Sequence, residues 1–176
     1  LNYLLLNIYQ KLSLNDLVIK YSKNIKEGDL YYLKSSKVVI KSLSVLERDK
    51  VIIKYLKSLI IKFPYNEELK LILADNLRQS GSHKESIKYY SHVISEIKRF
   101  NADHWSIFYA RGISYESLKE WEYSDKDLLK ALELNPDSAY VINYLGYSWL
   151  ERNVKVDQAL KLITSANKLE PEDAFI

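Results

Sequence analysis

Five stretches of this chain repeat one pattern at a nearly constant interval. They are VIKYSKNI (18–25), IIKYLKSL (52–59), SIKYYSHV (86–93), SDKDLLKA (124–131) and ALKLITSA (159–166). Their starts lie 34, 34, 38 and 35 residues apart. A fixed period of this size restricts the fold to stacked copies of one small unit, because no copy can bury its apolar face alone.

Each stretch follows a second apolar pattern about twelve residues upstream. Its key positions are Leu5, Leu6 and Tyr9; Val39, Ile40 and Leu43; Leu73, Ala74 and Leu77; Arg111, Gly112 and Tyr115; and Leu145, Gly146 and Trp149. Spacing of i, i+3 and i+4 predicts amphipathic helices throughout. Gly28, Pro64, Pro136 and Pro171 break the chain after four of the repeated stretches. Ser82 with Glu85 reads as a capping box, and Ser13 with Asp16 as a related arrangement. Asn66 and Asp137 are expected as N-caps, and Gly81 as a left-handed turn. The unit is therefore a helix–turn–helix. With only four Gly and three Pro in 176 residues, few turns need special backbone geometry, which also favours helices.

The offsets of these residues resemble the tetratricopeptide repeat (TPR) family. In the fourth repeat the family pattern falls on Phe108, Arg111, Gly112, Tyr115, Ser124, Leu128, Ala131 and Pro136. In the fifth it falls on Ile142, Leu145, Gly146, Trp149, Ala159, Ile163, Ala166 and Pro171. The match is strong over 105–173, fair over 67–98 and weak over 1–66, where Leu6, Val18, Ile40 and Ile52 replace small residues. The resemblance implies an all-α fold, a right-handed α-solenoid of about five TPR-like repeats in one domain over 1–176. The repeats are placed at 1–32, 33–66, 67–104, 105–138 and 139–173. The first two are expected to pack more loosely. Extra residues near KRFNADH should lengthen the connection into the fourth. Arg111 stands at a normally apolar position and is expected to reach solvent or an acidic partner such as Glu116. PEDAFI (171–176) repeats the entrance to the fifth repeat, PDSAYV, so the chain reads as cut at the start of a sixth, with Phe175 and Ile176 on an open core face.

Composition narrows the function. The chain is 47% hydrophobic and 28% charged, with a net charge of +3 from 26 basic and 23 acidic residues. That near-balance argues against nucleic-acid binding, as does a face that changes from Lys-rich to Asp, Glu and Tyr along the repeats. There is no Cys, so neither disulfides nor thiolate chemistry arise. No apolar run approaches the roughly 20 residues of a membrane helix, so no direct membrane insertion is expected. No G-x-S-x-G, phosphate-binding glycine loop or H-E-x-x-H occurs. His83, His92 and His104 lack ligand spacing, so no metal, cofactor or catalytic residue is assigned.

The remaining candidate is the surface lined by the first helix of each pair. The resemblance implies that its exposed positions hold a peptide or partner helix. Those positions are Lys37 and Lys41 in the second repeat, Asp75 and Arg78 in the third, Tyr109 and Glu116 in the fourth, and Tyr140, Asn143, Tyr144 and Tyr147 in the fifth. Tyr offers large contact area with few rotors to freeze, and an Asn amide can pair with a bound backbone. The family's two-carboxylate clamp for chaperone tails needs a Lys/Asn/Arg set that this chain lacks. The expectation is a non-catalytic scaffold for a protein or peptide, with self-association through the open C-terminal end as a further contact. The alternative is the helical recruiting arm of a larger envelope enzyme. YARGISYESLKEW and the stretch from VINYLGYSWLERN onward most resemble bacterial envelope-associated TPR proteins. Location is thus expected at the periplasm and envelope or in the cytoplasm. The abundance of Ile, Lys, Asn and Tyr suggests an AT-rich bacterial genome.

Overall fold

A computed structural model describes residues 2–173. Among these it contains ten α-helices, one 3₁₀ turn and no strand. The helices are α1 (Asn2–Lys11), α2 (Asn15–Ser22), α3 (Tyr32–Val45), α4 (Asp49–Lys62), α5 (Glu67–Gln79), α6 (His83–Glu96), α7 (Trp105–Ser117), α8 (Trp121–Leu134), α9 (Ala139–Glu151) and α10 (Val156–Leu169). They form five hairpins in chain order. Phe175 and Ile176 lie outside the described residues.

The backbone carries the period at the hairpin corners. Ser13, Glu47, Gly81, Lys119 and Asn153 all adopt positive φ, at 58°, 53°, 78°, 60° and 54°. They are 34, 34, 38 and 34 residues apart. In each case the next N–H donates to the carbonyl five residues back. The pairs are Leu14 to Tyr9 (2.8 Å), Arg48 to Leu43 (3.1 Å), Ser82 to Leu77 (2.8 Å), Glu120 to Tyr115 (2.9 Å) and Val154 to Trp149 (2.9 Å). This bond satisfies a carbonyl that the end of the first helix would leave orphaned. The acceptor is always the third key position of the upstream pattern. One residue thus anchors the core with its side chain and the corner with its carbonyl.

The corner also corrects the expected caps. Ser82 is the N-cap of α6, but its backbone (φ −82°, ψ 53°) is not the extended form that aims a side chain at the first turn, and its hydroxyl makes no cap bond. Ser13 is a corner residue, and α2 begins after Leu14. Asp137 lies one residue outside the N-cap of α9, which is Ser138. A capping box does form at Asn101, within the lengthened connection. Its side chain accepts from the Asp103 N–H, and its N–H donates to His104 Nδ1. Beside it, the Phe100 ring stands edge-on to Phe108 at 5.1 Å.

The fold divides into two compact units, Leu1–Asn66 and Glu67–Ile176. The division falls at the boundary between the second and third repeats. Unit 1 buries Leu6, Val18, Val39, Ile40, Leu43, Ile52, Leu56 and Leu59. Unit 2 buries Leu69, Leu73, Leu77 and Tyr90, and a larger cluster built on Phe108, Leu128, Leu145 and Trp149. Gly146 is needed for close approach. A Cβ there would stand 2.7 Å from Ile163 Cγ1 and 3.1 Å from the Ala159 carbonyl oxygen. In unit 1, Leu6 and Ile40 fill the matching positions and are buried, and a cavity of about 330 Å³ lies among α2, α3 and α4.

Candidate partner-binding face

Helices α5, α7 and α9 are the first helices of the three hairpins in unit 2. Each buries one stripe and leaves the flanking residues partly exposed. In α5 the stripe is Leu69, Leu73 and Leu77, and Asp75 and Arg78 stand beside it, half-buried. In α7 the stripe includes Phe108, Gly112 and Ser114, with Tyr109 and Glu116 beside it. In α9 it includes Leu145 and Trp149, and Tyr140, Tyr144 and Tyr147 share the opposite side.

These flanking groups meet one another. Tyr90, from the second helix of its hairpin, donates its hydroxyl to Asp75 Oδ1 at 2.6 Å. Arg78 Nε donates to the same hydroxyl at 3.4 Å, and its guanidinium lies 3.8 Å from Asp75. Tyr109 and Tyr144 form an edge-to-face pair at 5.6 Å. Tyr144 hydrogen-bonds Glu116. Burial raises the phenols of Tyr90 and Tyr144 above their ordinary value, and hydrogen bonds to Asp75 and Glu116 raise them further. Tyr109 is also raised by burial, with Arg78 opposing and Glu116 adding. The tyrosines therefore remain neutral O–H donors facing carboxylates. Such a surface can bind by ring contact and hydrogen bonding.

Asp75 and Arg78 thus cluster on Tyr90, and Tyr109 and Glu116 cluster with Tyr144. Tyr147 is 50% exposed on the same side of α9. Tyr140 is also exposed and donates to Asp173 Oδ2 at 2.6 Å, which raises its phenol. Asn143 is a correction: it is only 8% exposed, because it lies on the flank of α9 that packs against its neighbours. Lys37 and Lys41 lie on α3 of unit 1, half-buried and exposed respectively.

Arg111 finds an acidic partner, as expected, but the partner is Asp127 rather than Glu116. Its Nε and Nη2 donate to the two carboxylate oxygens of Asp127, at 2.6 and 2.7 Å, and its Nη1 donates to Ser91 Oγ at 2.9 Å. The guanidinium also lies over the rings of Phe108 and Tyr115. Sequence reasoning missed Tyr90 and Asp127. Tyr90 reads as pure core because its period position is apolar, and it is core: it is 1% exposed, and its hydroxyl bonds Asp75 from beneath. Among the described residues no group of three His, Asp or Glu could hold a metal ion. No helix there is long and apolar enough to cross a membrane.

No protein-family model matches the chain. A TPR repeat-containing protein of Pseudomonas aeruginosa is 29% identical over 112 residues, covering 64% of this chain and 18% of that protein. The lipoprotein NlpI homologue of Haemophilus influenzae is 37% identical over 81 residues, 46% of this chain and 25% of that one. MamA from Desulfovibrio magneticus superposes with a TM-score of 0.81 at 14% identity, over 98% of this chain and 97% of that one. The chain is a relative of the tetratricopeptide repeat proteins. Its fold is the all-α solenoid of TPR-like hairpins that MamA shares. The likeness also extends beyond bacteria: the BBSome complex member BBS4 of Xenopus tropicalis is 31% identical over 167 residues, 82% of this TPR relative and 31% of that protein. The chain spans between 18% and 31% of the length of these curated relatives.

Proposed function

We propose that this chain is a non-catalytic scaffold that holds a peptide or helix of a protein partner on the face formed by α5, α7 and α9. The observation that carries this reading is that Asp75 and Arg78 of α5, held by the buried Tyr90, and Tyr109, Glu116 and Tyr144 of α7 and α9 all flank the buried stripes of their helices, with Tyr109 and Tyr144 in ring contact. Internal hydrogen bonds and ring packing hold these groups in place before binding, which lowers the entropy lost on association. Tyr147 and Tyr140 add exposed rings next to them. Asn143, being buried, does not contribute.

The names of the relatives support the reading: one is a repeat-containing protein and another is a member of a complex. Peptides selected against the chain should lose affinity when Arg78 or Tyr147 is truncated, and undiminished binding would reject the face. The second reading, a recruiting arm within a longer envelope protein, is favoured by the match to a protein named as a lipoprotein and by the small share of each relative that is matched. The parent reading frame separates the two. An export signal with a catalytic domain supports the arm, and the absence of both removes it.

A further inference from the structure

The unit 1 cavity has a feature that loose packing alone does not explain. Its walls are largely apolar: Ile19 and Ile25 from α2 and the segment after it, Val39 and Leu43 from α3, and Val51 from α4, with the rings of Tyr32 and Tyr55 and the polar Ser22, Lys23 and Ser36 beside them. Ser35 borders the cavity, is 2% exposed, and its Oγ has no hydrogen-bond partner. A helical serine can return its hydroxyl to a carbonyl of the preceding turn, which Ser35, like Ser42, Ser124 and Ser148, does not do. Its neighbour Ser36 does so, donating to the Tyr32 carbonyl at 3.0 Å while accepting from the Tyr55 hydroxyl at 2.9 Å. An unpaired buried hydroxyl is destabilising unless something bonds it.

Ser35 also marks a junction. A second cavity of about 280 Å³, bounded by Asn2, Tyr3, Asp29 and Tyr31, shares Ile25 and Ser35 with the first. The larger cavity lies at the lower end of the roughly 300–1,000 Å³ typical of small-molecule sites. Charge at the junction is balanced. Lys23 borders one cavity and Asp29 the other, and the Asp29 carboxylate already accepts the Lys26 N–H at 2.9 Å. The Lys23 side chain is exposed to water, and a charged group brought in as far as the buried Ser35 would be desolvated, which is costly. A neutral head that both donates and accepts suits that hydroxyl.

We propose that unit 1 binds a small aliphatic molecule with one uncharged hydroxyl or amide head, the head bonded to Ser35 Oγ and the chain against Ile19, Val39 and Leu43. The test is a titration of the full chain, labelled with nitrogen-15, with 1-octanol, octanoate and octylammonium in turn. Octanol should shift the amides of Ser35, Val39 and Tyr55 to saturation. The two charged probes should bind about tenfold more weakly or worse. Ser35→Ala should weaken octanol by about fivefold. Val39→Phe, which fills the cavity, should abolish binding and raise the melting temperature; should that variant misfold, Ile19→Phe fills the same space from the α2 side. The proposal is overturned by shifts that do not saturate, by equal affinity for the three probes, or by unchanged affinity in Ser35→Ala.

Discussion

Arg111 and Asp127 form the most buried ion pair on which the second unit relies, with side chains 15% and 4% exposed. Burial opposes ionisation of Asp127, and the two-pronged bond to Arg111 favours it. Removing one partner leaves the other charge buried and uncompensated. Asp127→Ala should therefore cost about 3–5 kcal/mol in urea unfolding, whereas Arg111→Met with Asp127→Leu should cost much less. Equal losses in the single and double variants would contradict this. The sequence shows Arg111 as a departure from the repeat but does not identify its partner. Asp125 and Asp127 share one helix, and the period does not say which faces α7. In the structure Asp125 turns instead to Arg152, at 2.5 Å. Asn143 was misplaced for a similar reason. It sits about 60° around α9 from Tyr140, at 100° per residue, where exposure depends on the neighbouring element rather than on the helix itself.

At the scale of the element, the hairpin corner is the unit of construction. The period is legible because every copy must bury the same positions: Val18, Ile52, Ser86, Ser124 and Ala159 are all fully buried. The corners are not legible, because only one of the five left-handed corner residues is glycine. The side chains of Ser13, Glu47, Lys119 and Asn153 occupy a region that costs about 1–2 kcal/mol. The bond to the third core position and the packing of both helices hold them there. Lys119→Gly should accordingly stabilise unit 2 by about 1 kcal/mol, measured as a rise in the urea midpoint, and a fall would refute the strain. Gly146→Ala should act in the opposite direction. Its Cβ would press on a backbone carbonyl as well as on Ile163, which gives a loss of about 1–3 kcal/mol. Gly112→Ala meets chiefly the Leu128 side chain, at 3.1 Å, which can shift. Its loss should be smaller, and a larger loss than at Gly146 would contradict the packing described.

For the molecule as a whole, the repeat determines which surfaces exist, and individual side chains determine what they recognise. The all-α fold, the hairpin count and the first-helix face follow from spacing, because burial is a property of the period. The chemistry follows less directly: Asp75 and Arg78 are fixed from beneath by the buried Tyr90 hydroxyl of a second helix, and the cavity beside Ser35 is lined by residues outside the small-residue positions of the repeat. The central claim is that the α5–α7–α9 face recognises a protein partner. Calorimetric titration of the whole chain with a peptide selected against it tests this most directly. Arg78→Ala and Tyr147→Ala should each weaken binding by about tenfold, as truncation of an anchor residue does. Lys88→Ala, on the second helix α6, should leave affinity unchanged. Equal affinity in the wild type and both face variants, with the helical fold intact, would contradict the account.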